Sequence, residues 1–126
     1  MLARHVRGAA QLTPITFTPT DDPALAPFEG VHDVAGDGTL LLLPTPGHSP
    51  GSMSLLIHRA DAPPLLLVGD VTYDPALVPH GIVPDVGDRP TQLTTAHHIH
   101  HLQNHYPTLI LLAAHDPNAT LRLAAR

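Results

Sequence analysis

Short apolar blocks separated by polar, proline and glycine punctuation set the rhythm of this chain. Leu40–Leu43, Leu65–Val68 and Leu109–Leu112 are continuous apolar runs too short for helices, and Ser52–Arg59 is rich in apolar residues. They predict strands at 39–43, 52–59, 65–69 and 108–113. The run Leu65–Val68, held between Pro64 and Gly69, has the mark of a strand covered on both faces. Val31–Val34 predicts a further short strand, and Ala35-Gly36-Asp37-Gly38 a hairpin turn leading into 39–43, with Asp37 as a turn residue. Apolar spacing changes at Gln92–Tyr106, where Leu93, Ala96, Ile99, Leu102 and Tyr106 recur every three or four residues as the stripe of a helix closed by Pro107. A last short helix is expected over Pro117–Ala125, with proline at its start.

Elsewhere the pattern fails. Prolines at 14, 19, 23 and 27 forbid a long helix before Gly30 and leave Phe17 and Phe28 as the large anchors of an irregular stretch. Met1–Gln11 is expected to be a frayed start or a short helix remnant, and the Pro/Gly-rich segment 71–90 an irregular loop able to cover a site. The sum is one α/β (α+β) domain over 1–126, its segment 1–30 irregular, with a mixed sheet carrying helices on one face.

Composition narrows the chemistry. The 126 residues carry 6 Lys plus Arg against 11 Asp plus Glu, a net charge of -5, which disfavours a nucleic-acid partner. Cysteine is absent, so disulfides and thiolate metal sites are excluded and any metal falls to His and carboxylate ligands. No apolar run reaches membrane-spanning length and Met1–Ala10 lacks the apolar core of a signal peptide; a soluble cytoplasmic protein is expected, without membrane contact. The 11 histidines invite a metal, whereas 15 prolines and 3% aromatics imply many loops and an aliphatic core.

Candidate ligands gather where apolar runs end. His48 sits between two Pro-Gly pairs in Pro44-Thr-Pro-Gly-His-Ser-Pro-Gly51, a stiff turn following Leu40–Leu43; a merely solvated turn histidine is the competing reading. Asp70 and His115 likewise follow Leu65–Val68 and Leu109–Leu112. Strand ends hold loop residues firmly while leaving them exposed, and two imidazoles with one carboxylate suit a borderline metal such as zinc. A separate cluster, His97, His98, His100, His101 and His105, lies mostly off the helix stripe. His97 and His101, and His101 and His105, are four apart, which permits weak chelation of a divalent ion, although a solvated helix face is the simpler reading. Asp116 is suited to cap the helix starting at Pro117, and Asp74 to a turn before Pro75.

Thr45-Pro-Gly-His-Ser-Pro-Gly-Ser52, Leu67-Val-Gly-Asp-Val-Thr-Tyr73 and Leu112-Ala-Ala-His-Asp-Pro117 resemble, in order, the later motifs of metallo-β-lactamase-fold hydrolases. Tyr73, three residues after Asp70, and the His115-Asp116 pair make the chain look most like N-acyl-homoserine lactonase-like enzymes. The resemblance covers roughly 31–120 and implies part of an αββα sandwich, its sheet mostly antiparallel. It further implies two divalent metal ions, zinc foremost with manganese, iron or cobalt as alternatives. His48 would bind the first ion, His115 the second, and Asp70 would bridge them. Tyr73, with Asp70, would be catalytic, donating to the oxygen on which charge develops. The implied chemistry is metal-assisted hydrolysis of a small lactone or ester, the ions readying water and polarising the carbonyl.

One departure limits the resemblance. The main metal motif of such enzymes, His-x-His-x-Asp-His, is absent, and His97-His-Ile-His-His101 has the wrong order and no aspartate. About half of a two-metal ligand set remains, so the chain looks like the C-terminal half of a lactonase-like fold. Activity of this chain alone is not expected without a complementary N-terminal half or a second copy. The alternative is a non-catalytic remnant or interaction module that pairs with a missing half or with itself.

Overall fold

The computed structural model describes residues 11–124, so the start expected at 1–11 lies outside it except for Gln11, as does the end of the helix expected to reach Ala125. Five strands form one sheet in sequence order: β1 (His32–Asp33), β2 (Leu40–Pro44), β3 (Met53–Arg59), β4 (Ala62–Gly69) and β5 (Ile110–Ala113). The first four are antiparallel neighbours and β5 lies parallel to β4, the mixed, mostly antiparallel sheet anticipated above. The expected hairpin joins β1 to β2, where Asp33 accepts hydrogen bonds from the Gly36 and Gly38 amides and Asp37 from that of Thr39.

Helix α1 (Arg89–His105) crosses one face of the sheet, and the short α2 (Ala119–Ala124) follows β5. α1 starts three residues before the expected Gln92, because Asp88 caps it by accepting from the Thr91 amide and Pro90 suits its first turn. Its buried face includes the polar Gln92 and Thr95 beside Ala96, Ile99 and Leu102. The segment 71–90 contains a 3-10 helix, Pro75–His80, where an irregular loop was expected. Asp74 caps it through the Ala76 amide, and its Val78 enters the core. Phe28 is buried as expected of an anchor, joined by Leu25, while Phe17 is only half-buried.

The register makes the core simple. Leu41, Leu56, Leu66 and Leu111 lie side by side across β2 to β5, all buried beneath α1 and the 24–28 segment. The opposite face carries parallel rows of the same kind, Leu42, Leu55, Leu67, Leu112 and Leu40, Ile57, Leu65, Ile110. These side chains are only partly covered, and Leu67 is 38% exposed. The expectation that β4 is covered on both faces is therefore corrected. A continuous apolar run records what a strand is suited to bury, and here only one layer lies against it. β4 also begins earlier than expected, taking in Pro63 and Pro64 after a tight turn at Ala60–Asp61.

The two faces predict different costs of truncation. Leu66→Ala, fully buried, is expected to lower unfolding free energy by about 2–5 kcal/mol. Leu67→Ala, its neighbour on the open face, is expected to cost a fraction of that, both read from urea unfolding midpoints.

Candidate metal centre

The C-terminal ends of β2, β4 and β5 and the N-terminal end of β3 lie on one sheet edge, because Pro44 pairs with Met53, Leu55 with Leu67, and Leu67 with Leu112. His48 comes to that edge from the β2–β3 turn, Asp70 from just beyond β4 and His115 from just beyond β5. The parallel pairing continues past the strands through the Ala114 amide, which donates to Gly69 O at 3.0 Å. Residues distant in sequence thereby become neighbours.

The turn bearing His48 is held from both sides. Across its base the Thr45 amide donates to Ser52 O at 3.0 Å, and the Thr45 and Ser54 hydroxyls pair at 2.8 Å in a buried setting. From the helix, the Thr95 hydroxyl donates to Pro46 O at 2.6 Å and the Asp88 amide to Gly47 O at 2.8 Å. Gly47 has φ 138°, and a Cβ there would meet Gln92 Cγ at 2.6 Å. Gly87, with φ 108°, lies so close that a Cβ would strike Gly47 O. Two backbones approach here at a distance open only to glycine. Neither the Gly47–Gly87 contact nor the Thr95 bond was legible in the sequence, since each joins segments some forty or more residues apart.

Asp70 turns a different oxygen to each imidazole. Its Oδ2 is 3.4 Å from His48 Nε2, and its Oδ1 is 3.0 Å from His115 Nε2. Despite that proximity Oδ1 is buried without a hydrogen-bond partner, as is His48 Nδ1. The separations suit shared ligation: two donors on one tetrahedral cation, with bonds of about 2.0–2.1 Å, stand about 3.3 Å apart. An orphaned buried oxygen facing an imidazole nitrogen is also an arrangement that a cation relieves. Each imidazole–carboxylate pair offers two of the donors a divalent ion takes. Among the described residues no three His, Asp or Glu side chains close around a single point.

Tyr73 stands edge-on to His115, ring centroids 5.5 Å apart and planes at 86°, with 42% of its surface exposed. A cleft of about 470 Å³ borders His48 between the Pro46–Pro50 turn and the Gly87–Thr91 segment. Asp116 does serve as a cap, accepting from the Asn118 amide at 2.9 Å, and its other oxygen accepts from Arg122 Nε at 2.6 Å. The Asn118 amide first, with Arg122 in support, holds the Asp116 carboxyl below its ordinary value of 3.8.

The histidine cluster of α1 is engaged otherwise. His98 packs edge-on against Phe28 at 5.5 Å, and burial, aided by His97 and His101, holds its pKa below the ordinary 6.5. The His101 ring donates from Nε2 to Pro23 O at 2.9 Å, and His105 from Nδ1 to His101 O at 3.1 Å. The His98 and His101 contacts tie α1 to the 23–28 segment, while that of His105 stays within the helix. None reaches the sheet edge.

A mixed sheet with helices on one face and histidine and aspartate on its strand-end loops is part of the metallo-β-lactamase fold. The chain is 52% identical over 42 residues to the N-acyl homoserine lactonase AttM of Rhizobium radiobacter, and 50% identical over 42 residues to that of Agrobacterium fabrum. Each match takes in 33% of this chain and 16% of the relative. Among solved structures, an N-acyl homoserine lactone hydrolase with N-hexanoyl-L-homoserine bound at its catalytic metal center superposes with TM-score 0.62 and 28% identity, over 78% of this chain and 37% of that one. A quorum-quenching N-acyl homoserine lactone lactonase aligns with the same TM-score over 39% of its length. No known family's sequence profile matches the chain. By name these relatives are N-acyl homoserine lactonases or hydrolases, one of them with a catalytic metal center, and the chain spans well under half of each.

Two outcomes follow. Gly87→Ala is expected to destabilise the fold by more than about 1 kcal/mol, through backbone strain and the collision with Gly47 O, as read from thermal unfolding. Because the Asp116 pKa is lowered on folding, its contribution is complete above the ordinary 3.8 and lost only as pH falls through the lower folded value. Asp116→Asn should flatten that part of the acid-unfolding curve and leave the profile above pH about 5 unchanged in slope.

Proposed function

We propose that this chain is the part of a divalent-metal-dependent lactonase that supplies His48, Asp70 and His115 as ligands, acting on N-acyl homoserine lactones as its relatives do. The observation that carries the reading is the Asp70 carboxylate, one oxygen facing each imidazole and its Oδ1 buried without a hydrogen-bond partner. In it, His48 and His115 each hold one divalent ion, zinc foremost, and Asp70 offsets the repulsion between the two. Bound there, such ions would supply activation of water and polarisation of the lactone carbonyl. Tyr73, whose ring meets that of His115 and is open to solvent, would donate its phenolic proton toward the oxygen that gains charge as the ring opens. The cleft beside His48 admits a small substrate.

A second reading is favoured by the open sheet face: a non-catalytic module of a single partial domain, whose apolar rows pair with a complementary half or with a second copy. Two rows of aliphatic side chains only partly covered are what an interaction surface offers.

The deciding experiment measures divalent-ion uptake and acid release from an N-acyl homoserine lactone. It uses the chain alone and the chain mixed with the His-x-His-x-Asp-His-bearing portion of an AttM relative. Supporting the lactonase reading, the mixture turns over substrate, and His48→Ala or Asp70→Asn lowers the rate at least about 100-fold. Association of the two parts on size exclusion, with neither ion uptake nor turnover, would instead establish the interaction module.

A further inference from the structure

Arg122 is not explained by the ligand set. Its guanidinium reaches two loops at once: Nε donates to Asp116 Oδ2 at 2.6 Å and Nη2 to Asp74 Oδ1 at 3.0 Å. Asp116 directly follows His115, and Asp74 directly follows Tyr73. One planar fork thus ties the loop after β5 to the loop after β4, at the residues adjoining the imidazole and the phenol. The anchors are unequal: the Asp116 side chain is 1% exposed and also fixed by the Asn118 amide, whereas that of Asp74 is 48% exposed and caps the 3-10 helix.

His115 needs such support. Its side chain is 66% exposed, against 28% for His48, whose turn is gripped by α1. The described contacts of the His115 ring are with Asp70 and Tyr73 alone. Where the ring stands is therefore set by how the two loops are held relative to one another. Charge on its own is insufficient, because a lysine ammonium is a point charge and cannot span two carboxylates as a guanidinium does.

We propose that Arg122 is a positioning residue that sets His115 and Tyr73 over Asp70 by bracing Asp116 against Asp74, leaving His48 independent of it. The proposal rests on the reading of His48, Asp70 and His115 as metal ligands for its functional meaning, and on the geometry alone for the brace itself.

The test compares wild type with Arg122→Gln, Arg122→Lys and Asp74→Ser. Asp74 Oδ1 both caps the 3-10 helix and meets Arg122; the shorter serine hydroxyl can still cap the helix but cannot reach the guanidinium, so this variant serves if the Arg122 variants fail to fold. The metal-free readout is the set of histidine ring proton-carbon resonances, in which His115 is shifted by the edge-on Tyr73 ring. In all three variants the His115 signal should move toward the free-histidine position, with His48 unmoved. The second readout is Co²⁺ titration followed by visible absorption, where affinity should fall about 10-fold or more, with Arg122→Lys recovering only part. An unmoved His115 signal, equal movement of His48 and His115, or full rescue by lysine would overturn the proposal. A wild-type chain that takes up no Co²⁺ would sink the metal reading, while the ring resonances would still decide the brace.

Discussion

A single carboxylate facing two imidazoles is what the rest of this structure serves. Asp70 leaves one strand, and its oxygens meet side chains that arrive from strands on either side. Antiparallel pairing brings the end of β2 and the start of β3 to the edge where β4 stops, and the single parallel pairing brings the end of β5 to that same edge. An all-antiparallel sheet of the same strands would send His115 to the far end. The crossover through α1 makes the parallel arrangement possible, since parallel neighbours need a long connection.

The same helix also does the local work at His48. Its N-terminal turn presses on the Pro46–Gly47 backbone through Thr95, Asp88 and Gln92, and the glycines at 47 and 87 allow the two chains to touch. Burial beneath α1 and rigidity at the site are thus one piece of packing. On the other side of the centre, His115 is mostly exposed, and order there comes from hydrogen bonds among polar side chains, Arg122 of α2 among them. The two halves of the centre are supported by different physics.

Much of this was legible in the sequence because much of it is local. Apolar runs too short for helices marked four strands, Asp-Gly marked the hairpin, and the three ligand candidates stood at run ends. What escaped was non-local or polar. The inward face of α1 includes Gln92 and Thr95, which no hydrophobic pattern counts, and the 3-10 helix depends on the Asp74 cap and on the seating of Val78. Arg122 finds Asp74 across 48 residues. Which side of β4 stays uncovered was illegible for another reason: leucines record the surroundings a strand favours, and both sides of β4 carry them.

Pro63 and Pro64 open β4 just before its first parallel partner, Leu65 opposite Ile110. Lacking amide donors, they cannot extend a ladder toward the start of β5. β5 therefore has a hard stop at one end, and its phase against β4 is fixed from there. A slide of two positions would carry His115 about 7 Å along the strand axis and out of reach of Asp70. Two prolines at the far end of the sheet thus act as the zero mark from which the placement of His115 is measured.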